Sequence, residues 1–394
     1  MIGQTTSASA VAVAGINLTG SSTRGLRWLA VLGALSLALG AVMDPQRGWA
    51  SVLFCGVSLL GLGLAGLYFI AIHDAADAGW ATAFRRIPEA MMGLIPVGSL
   101  FILLAITLGG RHLYSWLPDG FGGEGFKGLW LQSGFFYLRS VIYLAVFGFF
   151  GWAVRRSSHR RTESPSGVGS KPGRGLAAAF LLLGSVTLTL ASVDWLQSLE
   201  PHWFSTMWGV YEFANLFAAG LAALLLLAAW LDHHGYSVVN REHLFDLGKL
   251  LFAMSTFWMY IWFSQAMLIW YSNLAEEAIY FTDRLSLGWG PMMVVSVLLN
   301  WVVPFFVLMS RRAKRSQMIL VRVSMVVLVG HALDLFVEIL PPVVGGKPSF
   351  GLAEVGAGLL VVALLFLVSL RQLRQAALVP LGDPYLEESL HYHS

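Results

Sequence analysis

Charged residues are scarce in this chain, and cysteine is almost absent. Asp, Glu, Lys and Arg make up 12% of the 394 residues, about half of the roughly 25% found in soluble domains. This leaves too little polar surface for a water-soluble globule of this length. The single cysteine, Cys55, excludes a disulfide framework, cysteine-ligated iron–sulfur clusters and the Cys-x-x-Cys-His attachment of haem. Without a phosphate loop, a metal-ligand pattern or a nucleic-acid module, we expect no nucleic acid among its partners.

Apolar sequence is abundant instead. Hydrophobic residues make up 57% of the chain, and its mean hydropathy is +0.69. A helix spans the hydrocarbon layer with about 20 apolar residues. Ten stretches qualify and predict an all-α integral membrane protein with ten transmembrane helices, the region 26–370 forming its transmembrane domain. In chain order these spans are 26–43, 50–73, 88–110, 132–154, 175–193, 211–232, 246–270, 288–310, 317–340 and 351–370.

The basic residues of the connecting loops predict the orientation. Of the 25 Lys and Arg residues, eighteen lie in loops on one side of the membrane and five on the other, with Arg139 and Arg322 inside spans. Cytoplasmic loops carry the excess of Lys and Arg. We therefore expect both termini in the cytoplasm, as an N-terminal segment 1–25 and a tail 371–394. The basic linker 156–174 falls on the same side.

A faint internal repeat suggests how the spans group. Asp194, at the end of span 5, lies seven residues before Pro201. In the same way Asp334, in span 9, lies seven residues before Pro341. Arginine pairs end spans 4 and 8. A parallel duplication would give two four-helix bundles, spans 2–5 (50–193) and spans 6–9 (211–340), with spans 1 and 10 flanking them. The alternative is that Arg pairs and Pro simply mark helix ends.

Span 9 carries the densest set of ionisable groups within the membrane. His331, Asp334 and Glu338 fall on one stripe of a helix, at 100° per residue. Buried ionisable groups cost about 2.5–3.5 kcal/mol on insertion scales, so their presence points to a function. We expect a proton relay along this stripe. Alternatively, the two carboxyls cap or pair near the outer surface and His331 is a satisfied interior histidine.

Span 7 adds a stripe of hydroxyl groups that includes Tyr260 and Ser264. These groups would hold a water chain beside span 9 and extend the proton path. They could equally serve as interhelical hydrogen bonds, the commoner role of such side chains in membranes.

Arg139 lies inside span 4 and needs a partner. Asp194 in span 5 lies at a similar depth, and His112 and Gln132 lie near the same surface. His112, Gln132 and Arg139 together could bind the polar head of a quinone, while Asp194 is also assigned to the proton path. A structural Arg139–Asp194 pair is the alternative. His331 is the one deep histidine, which disfavours the paired haem ligands of a cytochrome b.

Three segments carry a resemblance to a known family. They are DWLQSLEPHWFSTMW (194–208), FSQAMLIWYSNLAEE (263–277) and the tail GDPYLEESLHYH (382–393). They resemble the membrane subunits of alternative complex III, a bacterial quinol:cytochrome c oxidoreductase, within the NrfD/polysulfide-reductase family. The length resembles that of the smaller, ActF-like subunit. One departure is Ala275, which precedes Glu276 and Glu277 where the family usually has proline.

The resemblance implies a location, partners and cofactors. The chain would lie in the bacterial cytoplasmic membrane among lipids, beside a larger paralogous NrfD-like subunit and subunits carrying iron–sulfur clusters and c haems. It would hold no haem or iron–sulfur cluster itself, and a quinone, menaquinone or ubiquinone, would be its ligand. Its function would be quinone interaction, transmembrane proton translocation, or both. A secondary transporter and a purely structural membrane anchor are the alternatives.

Overall fold

Helices form 82% of the residues described in the computed structural model. The structure describes residues 20–118, 120, 125–163 and 173–392, and no strand occurs among them. Residues 1–19 of the predicted N-terminal segment, residues 164–172 of the linker and the tail residues beyond 392 lie outside this description. The α-helices, in chain order, are α1 Gly20–Met43, α2 Pro45–Ala75, α3 Arg86–Met91, α4 Leu94–Thr107, α5 Gly110–Leu113, α6 Phe126–Trp130, α7 Ser133–Glu163, α8 Arg174–Trp195, α9 Trp208–His233, α10 Arg241–Ser272, α11 Ala275–Ser286, α12 Gly290–Val297, α13 Val303–Leu308, α14 Arg311–Lys314, α15 Gln317–Val344, α16 Leu352–Leu373 and α17 Leu386–Leu390.

Within the described residues, ten helical segments are long and apolar enough to cross a membrane, which confirms the predicted all-α, ten-span membrane fold. Eight of them are α1, α2, α7, α8, α9, α10, α15 and α16; the other two join α3 with α4 and α12 with α13. The orientation of these spans stays a prediction. We name the two ends of the helices after their connections: the joint face carries the turn 196–207, and the tail face carries α17.

The α12–α13 span contains one turn of π-helix, Leu298–Val302. Pro304 follows, and it has no N–H to donate to the carbonyl four residues earlier, which is that of Asn300. A local widening of the helix is a common response to such a break. Asn300 lies in the widened turn with its side chain fully buried.

Helix α2 lies at the centre of the helix packing. It contacts α4 and α8 on one side, α9 and α15 on the other, and both α1 and α16. Further contacts join α7 to α8, α9 to α10 and α15, and α12 to α15. The flanking helices α1 and α16 pack closely because a glycine lies in the contact: a Cβ on Gly33 would lie 2.8 Å from the backbone nitrogen of Leu360. The division into two four-helix bundles stays a prediction.

The C-terminal tail folds back onto the tail face of its own chain. Helix α17 packs against a 3-10 helix, Gly79–Phe84. The Ser389 hydroxyl donates to the Trp80 carbonyl at 2.5 Å and accepts from the Ala83 amide at 2.9 Å. The Tyr392 hydroxyl donates to Asp246 at 2.6 Å. This hydrogen bond, together with burial and the charge of Asp246, raises the pKa of Tyr392 to about 12.

Candidate functional site

The structure places His331, Asp334 and Glu338 on the buried side of α15. Each is 4% exposed. Apolar stretches of α15 before and after them make it a spanning helix, and these three side chains face α9, α10 and α12 rather than lipid. Unsatisfied polar groups in such an interior are costly. Their partners therefore determine what the cluster does.

Asp334 is held by hydrogen bonds from two neighbouring helices. It accepts from the Tyr211 hydroxyl at 2.5 Å and the Asn215 amide at 3.4 Å, both on α9. It also accepts from the Ser296 hydroxyl of α12 at 3.1 Å. Asn300, in the π turn, donates to the same Ser296 oxygen at 3.2 Å. A carboxylate with several donors is stabilised in place, so Asp334 joins three helices of the cluster.

Glu338 and Glu212 form a second, different pair. Both carboxyl groups are buried, on the helices α9 and α15 that pack against each other. Among the described residues, no N–H or O–H group donates to either side-chain oxygen of Glu338. Ionised carboxylates only accept hydrogen bonds. An ionised Glu338 would therefore accept no side-chain hydrogen bond here, which makes this buried carboxyl a candidate for holding a proton.

Two consecutive prolines interrupt the helical hydrogen bonding of α15 beside Glu338. Pro341 and Pro342 have no N–H, so the carbonyls four residues earlier, those of Val337 and Glu338, lose their helical donors. The guanidinium of Arg284, on α11, donates to both carbonyls, from Nε at 3.0 Å and from a terminal nitrogen at 3.3 Å. Arg284 is 1% exposed. It therefore caps two carbonyls that the prolines leave without helical donors inside α15.

Arg284 also connects the cluster to the joint face. It forms an ion pair with Glu200 at 2.7 Å, and its guanidinium carbon lies 3.5 Å from the centre of the Tyr280 ring. The Glu200 side chain keeps 21% exposure. Burial raises the pKa of Glu200, and Arg284 opposes this rise. A gap of about 10 Å³ is lined by both Glu338 and Glu200, which is close to the space that one water molecule needs.

A larger cavity adjoins the other end of the cluster. It has a volume of about 630 Å³ and lies between α2, α9, α15 and α16. Its walls are mainly aliphatic and aromatic, and the polar side chains among them include His331, Glu212 and Asn215. Both ring nitrogens of His331 are buried and lack a hydrogen-bond partner within the described part of the chain. This size and lining are typical of a site for a small, largely apolar ligand.

The structure does not bring the predicted hydroxyl stripe of α10 into this site. Tyr260 is 63% exposed on the outer side of the helix, and Ser264 is half-buried without a recorded contact to the cluster. Helix α10 contributes Trp258 instead, which is fully buried and meets the His331 ring edge-on at 5.8 Å. The water-chain prediction is therefore wrong for Tyr260, because α10 is turned about its axis so that this side chain faces away from the cluster.

Asp194 belongs to a separate cluster in which both of its carboxylate oxygens accept hydrogen bonds. It accepts two hydrogen bonds from Arg139, at 2.8 and 2.9 Å, one from Trp130 at 2.7 Å and one from Tyr143 at 2.9 Å. The Arg139 guanidinium also lies 3.9 Å from the Trp130 ring centre. These contacts favour the alternative prediction that Arg139 and Asp194 form a structural ion pair. Since these four donors occupy Asp194, the structure does not place it in a path with Asp334.

The predicted quinone position near Arg139 is not assembled. His112 and Gln132 are exposed, whereas Arg139 is buried against Asp194. The 630 Å³ cavity is lined by none of these three residues. The prediction relied on nearness to one membrane surface, which does not determine whether side chains point at each other.

Sequence reasoning missed several residues of the site, including Tyr211, Glu212, Asn215, Trp258 and Arg284. Two signals could have pointed to some of them. Tyr211 and Asn215 are four residues apart and so share one face of α9. The Pro341–Pro342 pair leaves two carbonyls without donors, which predicts a buried donor from another helix.

Among the residues described, no three His, Cys, Asp or Glu side chains cluster as metal ligands do.

Comparison with known proteins identifies no family. No protein-family model matches the chain, and no curated protein is significantly similar to it in sequence.

Proposed function

We propose that this chain is a membrane subunit of a bacterial quinol-oxidising complex of the alternative complex III kind, and that it binds a quinone beside His331. One observation carries the proposal. A mainly apolar cavity of about 630 Å³ has a histidine with two unpartnered nitrogens and a carboxyl, Glu212, in its wall. A quinol has an apolar tail and a ring with two hydroxyl groups. The cavity walls suit the tail, and His331 and Glu212 suit the hydroxyls.

The arrangement also supplies a route for the protons. Oxidation of a quinol to a quinone releases two protons and two electrons. His331 would accept a hydrogen bond from one hydroxyl, and Glu212 would take its proton. Glu338 is buried on α15, which packs against α9, and it shares the 10 Å³ gap with Glu200 near the joint face. Both quinol protons would leave in turn by way of Glu212, Glu338 and Glu200. The electrons would pass to iron–sulfur and c-haem partner subunits, whose presence rests on the resemblance of the three sequence segments.

Further parts of the proposal concern architecture and location. Packing of α2 with α4 and α8, and of α9 with α10 and α15, supports two four-helix bundles. The quinone cavity then lies where the two bundles meet. The loop charges support a cytoplasmic tail face with both termini, and hence a joint face on the periplasmic side of the bacterial cytoplasmic membrane. A larger paralogous subunit would be the neighbour within the membrane.

The test separates ligand binding from proton transfer. In the intact complex, His331→Leu should weaken quinone retention about 3–10-fold, since it removes one net hydrogen bond. Glu212→Gln and Glu338→Gln should keep the quinone but slow quinol:cytochrome c turnover at least about 100-fold, as expected for the loss of a proton acceptor. Retained quinone is measured by extraction and chromatography, and turnover by cytochrome c reduction.

Matched controls make the outcome specific. His112→Leu removes an exposed histidine, and Glu276→Gln neutralises an exposed carboxyl on the joint face; both should leave quinone content and turnover unchanged. Gly358→Phe should expel the quinone without touching an acid, because Gly358 lines the cavity and a Cβ there has open space. The proposal fails if His331→Leu and Gly358→Phe retain as much quinone as the controls. Solute uptake by the isolated subunit would favour a transporter. Normal quinol:cytochrome c turnover in all of these variants would favour a structural anchor.

A further inference from the structure

A second large crevice lies on the tail-face side of the molecule, away from the His331 cavity. Its volume is about 890 Å³, and it runs between α4 and α7 to the end of α16. It shares no lining residue with the 630 Å³ cavity. The proposed function leaves it without a role.

The crevice is apolar along most of its length. Leu100, Leu103 and Leu144 line it where α4 faces α7. Two glycines of α7, Gly148 and Gly151, form part of the wall. A Cβ on Gly148 would meet no atom within 4 Å, so the groove is open there. An extended hydrocarbon chain fits such a shape, and Leu100 is itself exposed on the membrane-facing surface.

One end of the crevice is basic. Arg155, Arg156 and His159 follow the glycines on the same helix and line the crevice near the tail face. Arg155 is half-buried and donates to Gln375 at 3.0 Å, while Arg156 is exposed and lies 5.2 Å from the Trp152 ring centre. Lys and Arg at this depth attract anionic headgroups.

The nearest carboxylate does not cancel this charge. Glu89 is bound by Arg85 at 3.0 Å and by Arg86 at 2.7 Å, and it also accepts a hydrogen bond from Ser158. A hydrogen-bond acceptor lies beside the basic groups as well. The side-chain oxygen of Gln372 is buried and accepts no hydrogen bond from any group in the described part of the chain.

We propose that this crevice binds an anionic phospholipid. One acyl chain lies between α4 and α7, the phosphate is bound by Arg155 and Arg156, and Gln372 accepts a hydrogen bond from a headgroup hydroxyl. A phosphatidylglycerol meets all three requirements. A neutral quinone head would leave two guanidinium groups without an anion, so the charge favours the phospholipid.

The experiment uses the full-length protein, purified in mild detergent and then depleted of lipid. Phosphatidylglycerol, phosphatidylcholine, inorganic phosphate and a soluble quinone are added separately, and thermal unfolding and native mass spectra are recorded. We expect phosphatidylglycerol to raise the melting temperature and to form a one-to-one adduct, with no comparable effect of the other three. Equal stabilisation by phosphatidylcholine, by phosphate alone or by the quinone would overturn the proposal.

Two variants separate the headgroup site from the acyl site. Arg155→Gln/Arg156→Gln should weaken phosphatidylglycerol binding about 30-fold, from the loss of two basic residues near the headgroup. Gly148→Leu keeps both arginines but fills the groove, so it should also lose the adduct. Arg311→Gln/Arg312→Gln removes an exposed pair on the same face, outside the crevice, and should bind as the wild type does. Unchanged binding in both crevice variants would refute the site.

Discussion

Replacement of Arg284 by Gln tests the most unusual feature of the site, a buried cation that caps two helix carbonyls left without donors by consecutive prolines. The substitution removes the ion pair with Glu200 and the donors to the Val337 and Glu338 carbonyls. Loss of one partner of a buried pair costs about 3–5 kcal/mol. Glu200 keeps partial exposure, so we take about 3 kcal/mol for the pair and add about 1 kcal/mol for each orphaned carbonyl. The expected loss of unfolding free energy is about 5 kcal/mol.

The proline pair allows a thermodynamic cycle. Pro341→Ala/Pro342→Ala restores the two N–H groups that the carbonyls lack, so Arg284→Gln should cost about 2 kcal/mol less in that background. Unfolding is followed by circular dichroism in mixed micelles with a rising fraction of denaturing detergent. Arg284→Lys should recover only part of the loss, since one ammonium cannot reproduce the planar fork of donors.

A matched control comes from another ion pair of the joint face. Arg47 pairs with Glu354 at 2.9 Å and has no contact with the proline pair. The cost of Arg47→Gln should therefore be the same with or without the alanine substitutions. If Arg284→Gln also costs the same in both backgrounds, the capping explanation is refuted.

The pH dependence of the Arg284→Gln variant gives an independent check. Burial raises the pKa of Glu200, and Arg284 opposes this in the wild type. A carboxyl whose folded pKa exceeds its unfolded value of about 4.3 stabilises the fold at low pH, and this contribution is lost as pH rises through the folded value. Without Arg284 the gap between the two values widens. The cost of Arg284→Gln should therefore be smaller at pH 4 than at pH 7, and equal costs would contradict the assignment.

Two further predictions concern the other clusters. Asp194→Asn should lower the unfolding free energy by about 3–5 kcal/mol, because Arg139 is left buried without its partner. Proton release per quinol in the assembled complex should stay unchanged. Lower proton release from a fully assembled complex would return Asp194 to the proton path. Ser389→Ala should leave the Ala83 amide and the Trp80 carbonyl unpaired, at a cost of about 1–3 kcal/mol in unfolding free energy. It should also speed amide hydrogen exchange in the tail 381–392. Unchanged exchange would show that other contacts hold the tail.

Local sequence was sufficient for the elements of the fold. Each membrane helix satisfies its backbone hydrogen bonds within one segment. Apolar length alone therefore predicted ten spans, and the described part of the chain has ten helical segments that could span a membrane. The Arg139–Asp194 pair was also predictable, since two opposite charges at similar depth in consecutive spans rarely stay apart in an apolar medium. The stripe of His331, Asp334 and Glu338 on one helix face follows from their spacing alone.

Tertiary packing decided everything that depends on two helices meeting. Membrane helices are apolar all round, so the sequence of α10 does not show which side faces inward; packing turned Tyr260 outward and Trp258 towards His331. The partners of Asp334 come from α9 and α12, far away along the chain. The 630 Å³ cavity exists because four helices leave a space between them. Sequence periodicity describes one helix at a time. A cavity or a hydrogen bond between helices depends on how several helices pack, so periodicity does not predict it.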